Sequence, residues 1–359
     1  MSASHVPASA GQLFIIGFEG KEAPPALLAK IDAGRLGGVI LFARNLGDLS
    51  EIAALTRSLH AATPPGDPPI IVSIDQEGGR VQRIRAPMTV WPAMARVGAA
   101  GDEAFTTAIG EALGAELAAF GFNLDYAPVL DVHTNPSNPI IGDRAFGAEP
   151  AIAASQALAF WTGLERAGVR GCGKHFPGHG DTATDSHLEL PHVDHDEARL
   201  RAVELSPFAA AAKAGVPMLM TAHVVYPAID ARPATMSHRW LTTILRLELG
   251  YRGVIVSDDL DMKAVAERFP VEETATTSLL AGVDSFLACR DPEIQTRAEQ
   301  AIDRLAATDA AARARLEESA ARMWSFRKTL RGAPALGAEQ AITGSLEAHG
   351  ALATRARGG

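Results

Sequence analysis

The segment Lys174–Pro191 reads KHFPGHGDTATDSHLELP and is dense in groups that move protons. Lys174 and His175 open it, and His179, Asp181, Asp185 and His187 follow. Pro177, Gly178, Gly180 and Pro191 exclude a helix or an interior strand, so these groups sit in a loop. A carboxylate beside an imidazole favours the charged ring, so Asp185 can keep His187 ready to give up a proton and later to take one back. Gly178 and Gly180 would let that dyad swing over a ligand. Breaking a glycosidic bond needs such an acid, together with a second group that traps or stabilises the oxocarbenium-like sugar. The run VIVSDDLDM offers carboxylates for that task at Asp258 and Asp259, and the residues alone do not choose between them.

Such groups need rigid elements behind them. Short apolar, β-branched runs at 12–18, 37–43, 68–75, 123–130, 169–175, 216–223, 252–259 and 283–289 predict strands. Alanine-rich amphipathic stretches at 48–62, 103–120, 151–168, 196–215, 237–250 and 271–282 predict helices between them. Asp48 and Ser237 are good N-caps, and glycines such as Gly168 can close helices. Nearly continuous apolar strands imply a parallel sheet buried on both faces. Eight βα repeats favour a closed (β/α)8 TIM-type barrel, an α/β fold, over an open doubly wound sheet. The stretch QEGGRVQRIRAPMTVWPAMARVG, punctuated by glycine and proline, predicts an elaborated loop over the barrel mouth. Residues 1–11 are expected to be a flexible N-terminus, 12–330 the catalytic barrel and 331–359 a C-terminal tail. Two helices are expected near the end of the barrel, the second capped by Thr308 or Asp309.

A barrel demands that functional groups lie at strand C-termini or in the loops beyond. Asp75 ends the third strand, Arg144 follows the fourth, Lys174 and His175 end the fifth, and Asp185 and His187 lie beyond it. His223 ends the sixth strand, and Asp258 and Asp259 end the seventh. Taken singly, each has a structural reading: an Asp that caps a turn, a hydrogen-bonded core His, a solvated Lys tip. For His179 and Asp181 that structural reading, holding a glycine-rich loop in shape, is the one adopted. The convergence of the others on one rim carries the functional reading.

KHFPGHGDTATDSH together with VSDDLDM resembles glycoside hydrolase family 3, in its β-N-acetylglucosaminidase branch, over about residues 12 to 330. The DSH loop separates that branch from the family's β-glucosidases. The resemblance implies that Asp258 is the nucleophile, His187 the general acid/base and Asp185 its partner. It also implies that Asp75, Arg83, Arg144, Lys174 and His175 hold the sugar. The implied reaction is retaining, through a glycosyl–aspartate, on non-reducing β-linked N-acetylglucosamine, chiefly in 1,6-anhydromuropeptides recycled from cell wall. No cofactor and no metal are implied.

Bulk composition is consistent with this. The chain has 359 residues, 47% of them hydrophobic, with a formal net charge of −9. No basic face recurs, so neither nucleic acid nor an anionic membrane is an expected partner. The N-terminal stretch lacks a basic segment and a long apolar one, so a cytoplasmic location is expected. Cys172 and Cys289 lie in apolar runs and are expected to be reduced core residues. Three alternatives stand beside hydrolysis: a metal hydrolase using His175, His179, Asp181, Asp185 and His187; a phosphorylase on the same scaffold; and a non-catalytic muropeptide-binding barrel.

Overall fold

The apolar runs become the staves of a closed barrel in the computed structural model, which describes residues 8–183 and 190–358. The strands are β1 (Phe14–Ile16), β2 (Gly38–Leu41), β3 (Ile71–Ile74), β4 (Leu124–Asp125), β5 (Arg170–Phe176), β6 (Met218–Thr221), β7 (Val254–Asp259) and β8 (Ser285–Ala288). Each pairs in parallel with its sequence neighbours. β2 runs against β3 from Gly38↔Ile71 to Leu41↔Ile74, and β1 closes the ring on β8 through Phe14↔Phe286. The Phe14 and Phe286 rings stack with centroids 5.3 Å apart, sealing that seam with aromatic area.

One helix of the outer ring follows each strand. These are α1 (Pro25–Asp32), α2 (Leu49–Ala61), α3 (Glu103–Ala119), α4 (Pro150–Ala167), α5 (Ser206–Ala214), α6 (Arg239–Glu248, wound as a π-helix), α7 (Val271–Ala281) and α8 (Pro292–Thr308). Their ends follow the cap signals. Asp48 accepts from the Glu51 amide at 2.9 Å while Glu51 returns a bond to Asp48 N, and Gly168 ends α4 with φ 83°. Helix α9 (Ala310–Arg327) is capped by Asp309, which accepts from Ala312 N at 2.8 Å. Its Leu316 and Met323 are buried against the barrel, and Arg327 on the same face donates to the carbonyls of Pro68 and Pro69.

Several elements depart from the sequence expectation for local reasons. The stretch 123–130 pairs as a strand only at Leu124–Asp125 and again at a lone Val129↔Lys174 bridge, because Pro128 lacks the amide a continuous ladder needs. The helix expected over 196–215 splits at Val203, giving a short helix at Glu197–Ala202 and then α5, which has Pro207 in its first turn. Ala10–Leu13, at the start of the barrel, is a buried 3-10 turn. Beyond residue 331 the chain is helical again, at Ala338–Ala341 and in α10 (Leu346–Gly358), which lies against α3. No helix among the described residues is long and apolar enough to cross a membrane.

Candidate active site

At the C-terminal mouth of the barrel an open cleft of about 500 Å³ is lined by Asp75, Arg83, Arg144, Lys174, His175 and Asp258 together. The expected binding residues and the expected nucleophile, distant in sequence, thus share one cleft. Asp185 and His187 lie outside the described residues.

The floor of the cleft is an ion network. Lys174 ends its side chain 2.8 Å from Asp75 Oδ1 and 2.6 Å from Glu77 Oε1. An ammonium has three donors, and two of them are spent on these carboxylates. Arg144 forks onto Glu77, with Nε to Oε2 and Nη2 to Oε1 both at 2.8 Å, the bidentate geometry that locks a guanidinium plane. Burial alone would push the Glu77 carboxyl up, but Arg144 and then Lys174 outweigh it and hold it well below the usual range. Asp75 follows the same pattern, with Lys174 and then Arg83 outweighing burial. Burial would lower the pKa of Lys174, yet Asp75 and Glu77 raise it, so the ammonium stays charged at any working pH. Burial also opposes the charge of Arg144, which Glu77 more than restores.

Arg83 reaches Asp75 Oδ2 at 3.4 Å and lies over the Phe42 ring, 5.7 Å from its centroid. Its Nε is buried with no hydrogen-bond partner among the described residues. A buried donor without an acceptor is costly, and a hydroxyl or carbonyl oxygen in the cleft would relieve it. His175 is held from behind by Asp131, whose Oδ2 lies 2.7 Å from Nδ1 and whose Oδ1 accepts from the backbone of both His175 and His179. A carboxylate accepts, so Nδ1 is the donor, and Nε2 faces Arg144 Nη2 at 3.5 Å. Burial would raise the Asp131 carboxyl, but His175 outweighs it and holds it below its ordinary value.

Glu77 and Asp131 are the residues the sequence argument missed, and both carried a signal. Glu77 follows Asp75 by two positions in extended chain, which places both on one side. Asp131 directly follows the apolar run 123–130, on the same rim as the others.

The two adjacent aspartates at the end of β7 differ in their surroundings. Asp259 is turned toward β8: its Oδ1 accepts from the amides of Asp261 and Cys289, both at 3.1 Å. Burial, with the Asp261 charge beside it, pushes the Asp259 carboxyl up to about 8. Both aspartates line the cleft, and Asp258 accepts from Asp259 N at 2.8 Å. His223, at the end of β6, is fully buried between Thr235 Oγ1 and the Asp259 carbonyl. It braces that turn from behind.

The loop after β5 is held by its polar residues, as expected for His179 and Asp181. His179 Nδ1 lies 2.8 Å from Thr182 Oγ1, and Asp181 joins Thr134 Oγ1 to His195 Nε2. A Cβ on Gly180 would lie 1.8 Å from the Val132 carbonyl oxygen, so the glycine permits close packing there. Tyr226 donates its hydroxyl to the Gly178 carbonyl and pins that end too. Among the described residues no group of three His, Cys, Asp or Glu side chains is placed to hold a metal ion. Cys172 and Cys289 are buried free thiols.

A parallel eight-stranded barrel carrying a carboxylate-and-cation cleft at its C-terminal mouth suits a glycoside hydrolase. The chain belongs to glycosyl hydrolase family 3: residues 7–326 match the family's N-terminal domain. Among its relatives, the β-hexosaminidase of Alkalilimnicola ehrlichii is 43% identical over 265 residues, covering 72% of this chain and 75% of that protein. The β-hexosaminidase A of Pseudoalteromonas piscicida is 43% identical over 285 residues, 74% of this chain but only 47% of that protein, so the chain spans about half its length. Among solved structures, a family 3 β-N-acetylglucosaminidase from Paenibacillus sp. matches with a TM-score of 0.88 and 35% identity, over 99% of this chain and 68% of that one. NagZ from Neisseria gonorrhoeae, in complex with N-trifluoroacetyl-D-glucosamine, matches with a TM-score of 0.81 and 32% identity over 98% and 99% of the two chains. The likeness is therefore to the β-N-acetylglucosaminidase, NagZ-type branch of the family.

Proposed function

We propose that this chain is a retaining exo-β-N-acetylglucosaminidase that removes non-reducing β-linked N-acetylglucosamine, with 1,6-anhydromuropeptides of cell-wall recycling in the cytoplasm as its substrates. The observation that carries the reading is the one cleft in which Asp258 meets five sugar-binding candidates, the six together coming from four strand ends and their loops. Asp75 accepts from ring hydroxyls, while Lys174, Arg83 and Arg144 donate to sugar oxygens and to the acetamido group. Asp258 attacks the anomeric carbon and forms a glycosyl ester as the aglycone oxygen leaves with a proton from His187. His187, charged at first with the help of Asp185 and neutral once that proton has left, then takes a proton from water as the ester is cleaved. The environment of Asp259 supports the choice of Asp258, since a carboxyl pushed up to about 8 and tied to two backbone amides is a poor nucleophile. Names carried by the relatives support the hexosaminide substrate.

The test is to trap the intermediate with a 2-deoxy-2-fluoro or related inactivator of the N-acetylglucosaminide type and map the label. A label on Asp258 is expected, and a label elsewhere would reject the assignment. Running the aryl N-acetylglucosaminide reaction in phosphate buffer separates the two acceptors, with free N-acetylglucosamine the expected product and its 1-phosphate the mark of a phosphorylase.

A further inference from the structure

We propose that helix α10 is a strap that positions the substrate-binding hairpin, with His349 as the positioning residue at its centre; this rests on the proposed sugar-binding role of Arg83. The hairpin Gln76–Gly78/Val81–Gln82 carries Glu77 at one end and leads into Arg83 at the other. It is too short to hold itself, since an isolated two-stranded ribbon is marginal in water. Gln76 ties the hairpin to its own exit at Arg83, and Gln82 ties it to the chain that returns at Thr89–Trp91. Gln76 Oε1 accepts from Arg83 N at 2.8 Å, Gln82 Nε2 donates to Thr89 O at 2.7 Å, and Gln82 Oε1 accepts from Trp91 N at 2.9 Å.

That returning arm rests on α10. Glu116 of α3 receives His349 Nδ1 at 2.8 Å on one oxygen and the Thr89 amide at 3.3 Å on the other, so one buried carboxylate joins the strap to the loop. The His349 ring packs on Trp91 with centroids 6.0 Å apart. Arg357 donates to the Val90 carbonyl, and its own carbonyl accepts from Arg96 at 3.1 Å. Arg355 pairs with Asp102 at 3.1 Å and lies over the Phe105 ring, 4.2 Å from its centroid. The line of contact therefore runs from α10 through Glu116 and Trp91 to Gln82 and Arg83. Buried hydrogen bonds to a charged group carry more free energy than surface ones, which gives the strap its hold.

The experiment uses the full chain and two readouts, one independent of substrate. Arg80 and Arg85 are exposed on the hairpin loop and are trypsin sites. In His349→Ala, nicking at Arg80–Val81 and Arg85–Ala86 should speed up about tenfold as the loop opens more often. KM for an aryl N-acetylglucosaminide should rise about five- to tenfold with kcat within about twofold, because binding geometry is lost and Asp258 is untouched. His349→Asn, whose amide can replace the Nδ1 donor, should restore both. If His349→Ala does not fold, Arg357→Ala, which alters only an exposed anchor, should move both readouts in the same direction. Nicking and KM at the parent's values, with or without a lower melting temperature, would overturn the proposal. Faster nicking in a protein whose parent never turns over the aryl glycoside would uphold the strap and reject the substrate reading instead.

Discussion

Asp258 and Asp259 are neighbours with the same side chain, and only their surroundings separate them. A carboxyl that stays protonated up to about 8 resembles its amide in charge and shape, so Asp259→Asn should keep kcat within about tenfold. Asp258→Asn should lose turnover by about 10⁴-fold while circular dichroism and melting temperature hold. Comparable losses in the two variants, measured on the same aryl glycoside, would remove the distinction drawn between them. At His187 the expectation concerns leaving groups. His187→Ala should slow glycosides with poor leaving groups far more than activated aryl ones, which need little protonation. A Brønsted plot of rate against leaving-group pKa reads this directly; equal losses across the series would remove the acid role.

The loop after β5 is an element in which shape and titration are linked. His179 is fully buried, and burial, with His175 adding to it, pushes its pKa down to about 4 against an ordinary value near 6.5. A histidine whose folded pKa is depressed stabilises fully above its unfolded value and loses that contribution as pH falls through the folded one. The window is therefore about pH 6.5 to 4, and the size is about 3 kcal/mol from that shift. Comparing the parent with His179→Asn cancels groups common to both, such as Asp259. The parent's stability in urea should decline relative to the variant across that window, and parallel profiles would contradict the account. The depressed carboxyls of Asp75, Glu77 and Asp131 act lower, their contributions being lost as pH falls below about 4.

Across the whole molecule the two ends of the barrel divide the work. The C-terminal mouth holds the cleft, and the opposite end holds a clamp built on Asp284, which directly precedes β8 and is fully buried. It pairs with Arg246 of α6 and with Arg315 and Arg322 of α9, at 2.8 Å for Arg315 and 2.6 Å for Arg322, and accepts from Ile255 N at 2.9 Å. Asp284→Asn leaves three guanidinium groups without their shared counter-charge, and should cost about 3–5 kcal/mol of unfolding free energy. Below the lowered melting temperature its kcat/KM should match the parent's, since no residue of the clamp reaches the cleft. A variant with unchanged melting temperature, or with lost activity at full stability, would contradict this division.

Periodicity and composition were enough to determine the barrel, the strand order and the rim on which polar groups gather, because continuous apolar strand runs, amphipathic helices and helix caps act locally and leave local traces. The motif from Lys174 to His187 likewise carries its proposed chemistry in nearby residues of the chain. What the chain could not reveal by itself was pairing across distance: that Glu77 would join Lys174 to Arg144, that Asp131 would set His175, and that residues beyond 331 would return as α10 against α3 and the arm at Val90–Trp91. Those contacts join residues tens to hundreds of positions apart. Their energies depend on burial and on charges brought together only when the barrel closes, so the tertiary structure alone decided them.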